Sequence, residues 1–256
     1  MLRIDDTERV RLLTLDRPEA LNAFNQALYH ALAEGMEQAA DDDSVSVVVL
    51  TGEGRAFSAG NDLLEMAAGN DGARADEGVH GFPRLLDICR TFPKPFVCAV
   101  NGLALGIGAT ILGYADLAFM STEARIKCPF SSLGVAPEAA SSYTFPTIMG
   151  RQQAAWVLMS SEWFGAERCR EMGLVLSVHE PDELLDVAME HARTLARLPL
   201  VSLVETKALI TAPHHEAIVA ARAAEDAAFA RLLGGPANRE ALTAFAEKRD
   251  PDFSSL

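Results

Sequence analysis

Several features are scarce or missing in this sequence, and each absence removes a class of function. No apolar run approaches the roughly 18 residues a membrane-crossing helix needs. The opening MLRIDDTERVRLL lacks an apolar signal core, and the closing SSL is at best a poor relative of a peroxisomal tripeptide. The expectation is a cytoplasmic protein with no membrane partner. Positive charge is short: 22 Lys and Arg stand against 36 Asp and Glu, a net charge of -14. Nucleic acid demands a basic face and is not expected as a partner. A small anion remains possible, because a few local cations and backbone N–H groups hold a phosphate inside an acidic protein. The four cysteines (Cys89, Cys98, Cys128, Cys169) lack metal-site spacing and lie in apolar segments, so they read as reduced, buried thiols. The six histidines are scattered, and no metal is expected. GxGxxG is absent, since Gly106 and Gly108 are followed by Ala109, Thr110 and Ile111. That removes the dinucleotide fingerprint.

What is present is an ordinary globular composition, 49% hydrophobic and 23% charged, over a length sufficient for a full core. VRLLTLD (Val10 to Asp16) reads as a strand, and Asn25 as the cap of a helix through QALYHALAEGMEQAADDD. The Val-rich run VSVVVL (Val45 to Leu50) and FVCAVNG (Phe96 to Gly102) read as buried strands. FPRLLDICRTF lies between them as a helix. A short helix is expected at GATILGYA, with strands near DLAFM and ARIKC. This alternation predicts an α/β fold. From about Pro181 the pattern changes to three successive amphipathic helices, PDELLDVAMEHARTLARLP, SLVETKALIT and HHEAIVAARAAEDAAFARLL. The division expected is a core over residues 1–195 and a C-terminal helical region over 196–256 that docks on a neighbouring subunit.

Chemistry concentrates in three loops. GRAFSAGNDLLEM (Gly54 to Met66) and NGLALGIGATILG (Asn101 to Gly113) each follow a strand. Glycine there lets the backbone turn tightly and leaves free N–H groups, and two such loops can aim two donors at one oxygen. The third loop, LGVAPEAASSYTF (Leu133 to Phe145), places a lone carboxylate, Glu138, before a helix start. Taken alone, that glutamate is a favourable charge at the positive end of a helix dipole.

GRAFSAGNDLLEM with NGLALGIGATILGYADLAF resembles the crotonase superfamily, the enoyl-CoA hydratase/isomerase group. DRPEALNAF, SSLGVAPEAASSYTFPTIMG and GAERCREMGLVLSVHE match in the same order, over nearly the whole chain. The resemblance implies a spiral of ββα units with a C-terminal helical part, assembly as trimers or dimers of trimers, and an acyl-CoA thioester ligand with no further cofactor. It places the thioester carbonyl between the backbone N–H groups of Asn61 and Ile107. It assigns substrate and CoA contacts to Arg17, Ala59, Asp62, Leu63, Gly106 and Phe130. One CoA contact is missing: Ala20 stands where relatives often carry Lys.

Hydratases of this group carry two glutamates, and the matching positions here are Thr110 and Phe130. Hydration needs water activated at one carbon and a proton delivered to the next, so the usual machinery is gone. FSSLGVAPEAASSYTFPTIMG instead resembles the peroxisomal-type Δ3,Δ2-enoyl-CoA isomerases, in which one glutamate in this loop acts alone as base and acid. Glu138 is that glutamate, and the implied setting is fatty acid β-oxidation. An apolar pocket of Leu105, Ile107, Phe130 and Met66 is expected to exclude water and raise its pKa. Among other polar residues, Asp62 and Asp116 read as structural and Glu65 as solvated. Thr110 reads as bonded to its own helix, and Ser141 and Ser142 as caps of the helix after Glu138. Lys248 and Arg249 either reach a neighbour's CoA or form a solvated face. Two rivals stand beside the isomerase: another crotonase-type reaction on an acyl-CoA, and a non-catalytic acyl-CoA-binding scaffold.

Overall fold

Runs of Val and Leu without polar alternation are buried on both faces, and such strands pair in parallel beneath helices. That is the arrangement in the computed structural model, which describes residues 1–62, 81–254 and 256. Strands β1 (Leu2–Thr7), β2 (Val10–Leu15), β3 (Val47–Gly52), β5 (Phe96–Val100), β7 (Leu117–Ser121) and β10 (Ser177–His179) form one sheet in the order β1-β2-β3-β5-β7-β10. All its pairs are parallel except β1 with β2. Strands β4 (Ala56–Ser58), β6 (Leu103–Leu105), β8 (Arg125–Lys127) and β9 (Phe164–Gly165) form a smaller sheet, ordered β4-β6-β8-β9. Each long strand β3, β5 and β7 is followed within two or three residues by a short one in the other sheet. The ββα repeat expected from the sequence is therefore present.

Helix α1 (Gln26–Asp41) is capped as read, the Asn25 side chain accepting from Leu28 N–H at 2.9 Å. With α2 (Gly81–Thr91) it covers one face of the large sheet. Alternate residues of the central strands divide between two cores, as the strand period of two requires. Val48, Leu50, Cys98 and Val100 enter the core beneath α1 and α2. Val47, Val49, Val97, Ala99 and Phe119 meet Leu184, Ala188, Met189 and Ala192 of α7 (Leu184–Ala196) on the other face.

The structure departs from the sequence reading at both ends. Strand β1 was not expected, because all but one of its six residues are exposed and show no apolar stripe. It is held by the β1–β2 register and a two-residue turn, Glu8–Arg9, with both φ angles positive (52° and 65°), the turn that suits a hairpin's twist. Towards the C-terminus, α7, which falls within the expected core over residues 1–195 except for its last residue, packs on the chain's own sheet. Helices α8 (Leu200–Thr211) and α9 (His215–Leu232) leave Val201, Leu209, Ile210 and Val219 exposed. A fourth helix, α10 (Pro236–Glu247), follows them. Among the described residues no helix is long and apolar enough to cross a membrane.

Candidate active site

Two loops meet back to back. Gly60 has φ +85°, and a Cβ there would lie 2.8 Å from the Leu105 carbonyl oxygen. Gly106 has φ +53°, and a Cβ there would lie 3.9 Å from Gly60 Cα and 3.8 Å from Glu138 Oε1. Only glycine adopts these conformations at little cost, and at residue 60 only glycine allows the approach to Leu105 O. On the first loop, Phe24 N–H donates to Gly60 O (2.7 Å) and Asp62 N–H donates to Phe24 O (2.9 Å). Successive amides of an extended segment point to opposite sides, so the Asn61 N–H is turned away from Phe24. On the second loop, Ile107 is the first residue of α3 (Ile107–Thr110), and a first helical N–H has no partner in its own helix. Among the described residues neither N–H has a backbone acceptor. The Asn61 side chain is held in turn, its Oδ1 accepting from the Tyr29 hydroxyl.

Glu138 comes from a compact loop ahead of α4 (Ser141–Met149). Val135 N–H donates to Phe130 O (3.0 Å), and Ser141 donates to Glu138 O from its N–H (3.1 Å) and its hydroxyl (2.6 Å). The side chain borders a cavity, yet its Oε1 atom is buried and has no hydrogen-bond partner. A buried, unpaired carboxylate oxygen is costly, so the neutral acid gains. Burial, and behind it the charge of Glu225, raise the Glu138 pKa to about 7, while the Asn61 side chain pulls weakly the other way. At that value the group holds and releases a proton near neutrality.

The cavity measures about 360 Å³. Glu138 is the one acidic residue among the described residues lining it, and most of the others are apolar. Ala59, Gly60, Asn61 and Gly106 line the side formed by the two glycine loops. Leu105 pairs with Lys127 across the small sheet, and with Trp163 they form one wall. Phe130, Leu133 and Val135 form a second, and Phe229 and Leu233 of the α9 end with Leu242 and Phe245 of α10 close the outer side.

The other expected site residues fall as follows. Ala59, Gly106 and Phe130 border the cavity. The Ile107 side chain does not: it is fully buried in the core, because α3 turns it inward, and only the backbone of Ile107 faces the loop junction. Arg17 is not part of the lining either. Its guanidinium donates to Ala23 O (2.6 Å) and pairs with Asp62 at 3.2 Å, since a largely buried cation needs partners. Asp62 therefore braces the loop. Leu63, Glu65 and Met66 lie outside the described residues. Thr110 donates from its hydroxyl to Gly106 O in its own helix (3.3 Å), and Asp116 accepts from Phe96 N–H and Lys207, both at 2.7 Å. Arg249 pairs with Glu240 and Glu247. Ser141 and Ser142 do not cap α4 with their hydroxyls. Its exposed amides are met by Glu225 of α9, which accepts from Ala140 N–H (2.6 Å) and Ser142 N–H (2.8 Å). Nothing local marks Glu225, which sits 85 residues from Ala140 in an Ala-rich helix. Tyr29, Lys127, Trp163 and α10 were likewise not foreseen. No cluster of metal-binding side chains occurs among the described residues.

Residues 5–255 match the family model described as enoyl-CoA hydratase/isomerase. The chain is 35% identical over 252 residues to the 2,3-dehydroadipyl-CoA hydratase of Escherichia coli (strain K12), covering 98% of each protein. It is 36% identical over 200 residues to enoyl-CoA delta isomerase 2 of Rattus norvegicus, covering 77% of this chain and 51% of that protein. A crystal structure of an enoyl-CoA hydratase/isomerase from Pseudoalteromonas atlantica T6c superposes with a TM-score of 0.94 at 35% identity, covering 99% of both chains. With the ββα spiral, the paired glycine loops and the match over 5–255 together, the chain belongs to the enoyl-CoA hydratase/isomerase family, the crotonases.

Proposed function

We propose that this crotonase is a Δ3,Δ2-enoyl-CoA isomerase with Glu138 as its sole acid–base group. The observation that carries the reading is the unpartnered Oε1 of Glu138, buried beside the two glycine loops in a cavity with no second carboxylate among its described lining residues. In a 3-enoyl thioester the C2 proton is acidified by both the carbonyl and the double bond. The Glu138 carboxylate takes that proton. The pair left at C2 forms a C1–C2 double bond as the carbonyl π pair moves onto the thioester oxygen, giving a dienolate in which the C3–C4 double bond is conjugated. The N–H groups of Asn61 and Ile107 stabilise that oxygen. Glu138, now neutral, returns the proton to C4, the pair reverts, and the double bond stands between C2 and C3. No water enters the balance. A pKa near 7 suits a group that must be a base in one half-reaction and an acid in the other.

The positions of the two hydratase glutamates support this choice. Thr110 has its hydroxyl tied to Gly106 O, and Phe130 presents a buried ring to the cavity. The substrate is an acyl-CoA, and Ala59, Gly106 and Phe130 contact its thioester and acyl portions. Hydration is the second reading, favoured by the 35% identity to a hydratase over nearly the whole chain.

The test is turnover of trans-3-hexenoyl-CoA by the wild type and Glu138→Gln, coupled to detection of the 2-enoyl product, with water addition to 2-hexenoyl-CoA measured in parallel. The expected result is isomerisation by the wild type and a loss of about a hundredfold or more in the variant. Hydration without isomerisation overturns the reading.

A further inference from the structure

Helix α9 reaches into the catalytic loop with a buried acid. Glu225 is 5% exposed and accepts from Ala140 N–H at 2.6 Å and Ser142 N–H at 2.8 Å. Those amides belong to a strained segment. Ala139 and Ala140 both have positive φ (60° and 54°), the left-handed region that residues with a Cβ avoid. Two alanines have no side-chain means of holding that geometry, and the structure reports no side-chain cap within α4 itself. Glu138 immediately precedes them. The stripe of α9 that carries Glu225 also carries Phe229 four residues on and leads to Leu233, both of which line the cavity.

We propose that Glu225 is the positioning residue of this site: it clamps the Ala139–Ala140 turn through its two amide bonds, fixes where Glu138 points, and sets a second negative charge behind the Glu138 carboxyl. This rests on the reading of Glu138 as the acid–base group. Burial raises the Glu225 pKa, and the Ser142 hydroxyl with the Ser142 and Ala140 amides pulls against that rise by bonding the charged form. The other titratable or charged groups around the two acids are the buried Cys128 thiol, Lys127 on the cavity wall, the Tyr114 hydroxyl and Asp226. Arg222, on the same helix, is engaged by Asp87 and the Pro83 carbonyl. Among the described residues no cation pairs with Glu138 or Glu225 to offset this arrangement.

Two variants perturb the clamp, and only one of them removes the charge. Glu225→Gln removes the charge and, because the two amides bond to different carboxylate oxygens, also replaces one acceptor with an NH2 donor; Glu225→Asp keeps the charge and withdraws both oxygens by one methylene. The Glu138 carboxyl is titrated directly by carbon NMR of protein labelled at glutamate Cδ, assigned with Glu138→Gln, and kcat and KM are followed against pH on trans-3-hexenoyl-CoA. Circular dichroism and thermal melting report folding. For Glu225→Gln, the Glu138 midpoint moves to lower pH, the acid limb of kcat moves with it, and kcat drops about tenfold or more while KM stays within about twofold. For Glu225→Asp, the midpoint stays near that of the wild type and kcat still falls. A Gln variant with unchanged midpoint and kcat, or one whose change lies only in melting temperature, overturns the proposal. If the Gln variant does not fold, an Asp variant with wild-type kcat overturns it, and one with reduced kcat at an unchanged midpoint upholds it. The titration needs no substrate, so it decides the role of Glu225 even if the wild type fails to turn over the 3-enoyl thioester and the isomerase reading falls.

Discussion

Glu138 Oε1 stands 3.8 Å from the point where a Cβ on Gly106 would sit. The acid thus lies one methyl's contact distance away from the loop that presents the Ile107 N–H.

Gly106→Ala tests that contact. Gly106 sits at φ 53°, ψ -121°, a conformation costing an alanine about 1–3 kcal/mol. The new methyl itself would meet Glu138 Oε1 at 3.8 Å, an ordinary contact, so it is the backbone strain that shifts the Ile107 amide. The expected outcome is a modest drop in melting temperature and a fall in kcat of about a hundredfold, as an ångström-scale misplacement produces. Steady-state kinetics beside calorimetry separate the two effects.

The pH dependence follows from Glu138. Its pKa rises from 4.5 to about 7 in the folded chain, so between those values the native state holds a proton that the unfolded chain has released. Stability from this group is greatest below about pH 4.5, falls as pH rises, and is flat above about pH 7. The full span is on the order of 3 kcal/mol at most. Glu138→Gln should therefore melt higher than the wild type at pH 8, with the advantage shrinking toward pH 5. Activity runs oppositely: kcat/KM should rise with pH through about 7 as the base ionises. A melting series from pH 5 to 8 and a pH–rate profile check both.

Lys207 is the buried residue of α8, donating to Asp116 Oδ2 at 2.7 Å and to Lys94 O at 2.9 Å. Lys207→Met would leave Asp116 with the Phe96 amide as its remaining bond among those described. Removing one partner of a largely buried pair costs about 3 kcal/mol; Asp116 keeps some solvent contact, so about 2 kcal/mol is expected in urea unfolding. The pair is not part of the cavity lining, so kcat should stay within about twofold of the wild type.

The exposed apolar residues Val201, Leu209, Ile210 and Val219 on α8 and α9 are a candidate surface for subunit contact; the homotrimer or dimer of trimers is the expectation carried by the family resemblance. Light scattering after size exclusion should give a multiple of three chains. Leu209→Glu, at a position 76% exposed, should shift the mass toward the monomer while leaving secondary structure by circular dichroism unchanged. A monomeric wild type would overturn the expectation.

Local patterns in the sequence were enough for the Val-rich strands, the Asn25 cap, the two glycine loops and the placement of Glu138 in a small-residue loop. Each of these depends on neighbours in the chain: a period of two, a cap three residues from its amide, a glycine at a strand's end. Strand β1 escaped because its exposed residues, Ile4 apart, are polar and only its partner β2 makes it a strand. Arg17 was expected to meet CoA; its partners in the fold, Ala23 O and Asp62, were not legible in the sequence.

Residue types and their spacing along the chain determined which family this protein belongs to and which carboxylate is the candidate acid. Tertiary structure alone decided the surroundings of that acid. Glu225 arrives from 85 residues beyond Ala140, Tyr29 steadies Asn61 from 32 residues before it, and Leu242 and Phe245 close a cavity whose opposite side was laid down by Ala59 and Gly60. A pKa depends on which groups and how little water surround a carboxyl, and those are set by packing between distant segments rather than by the residues on either side.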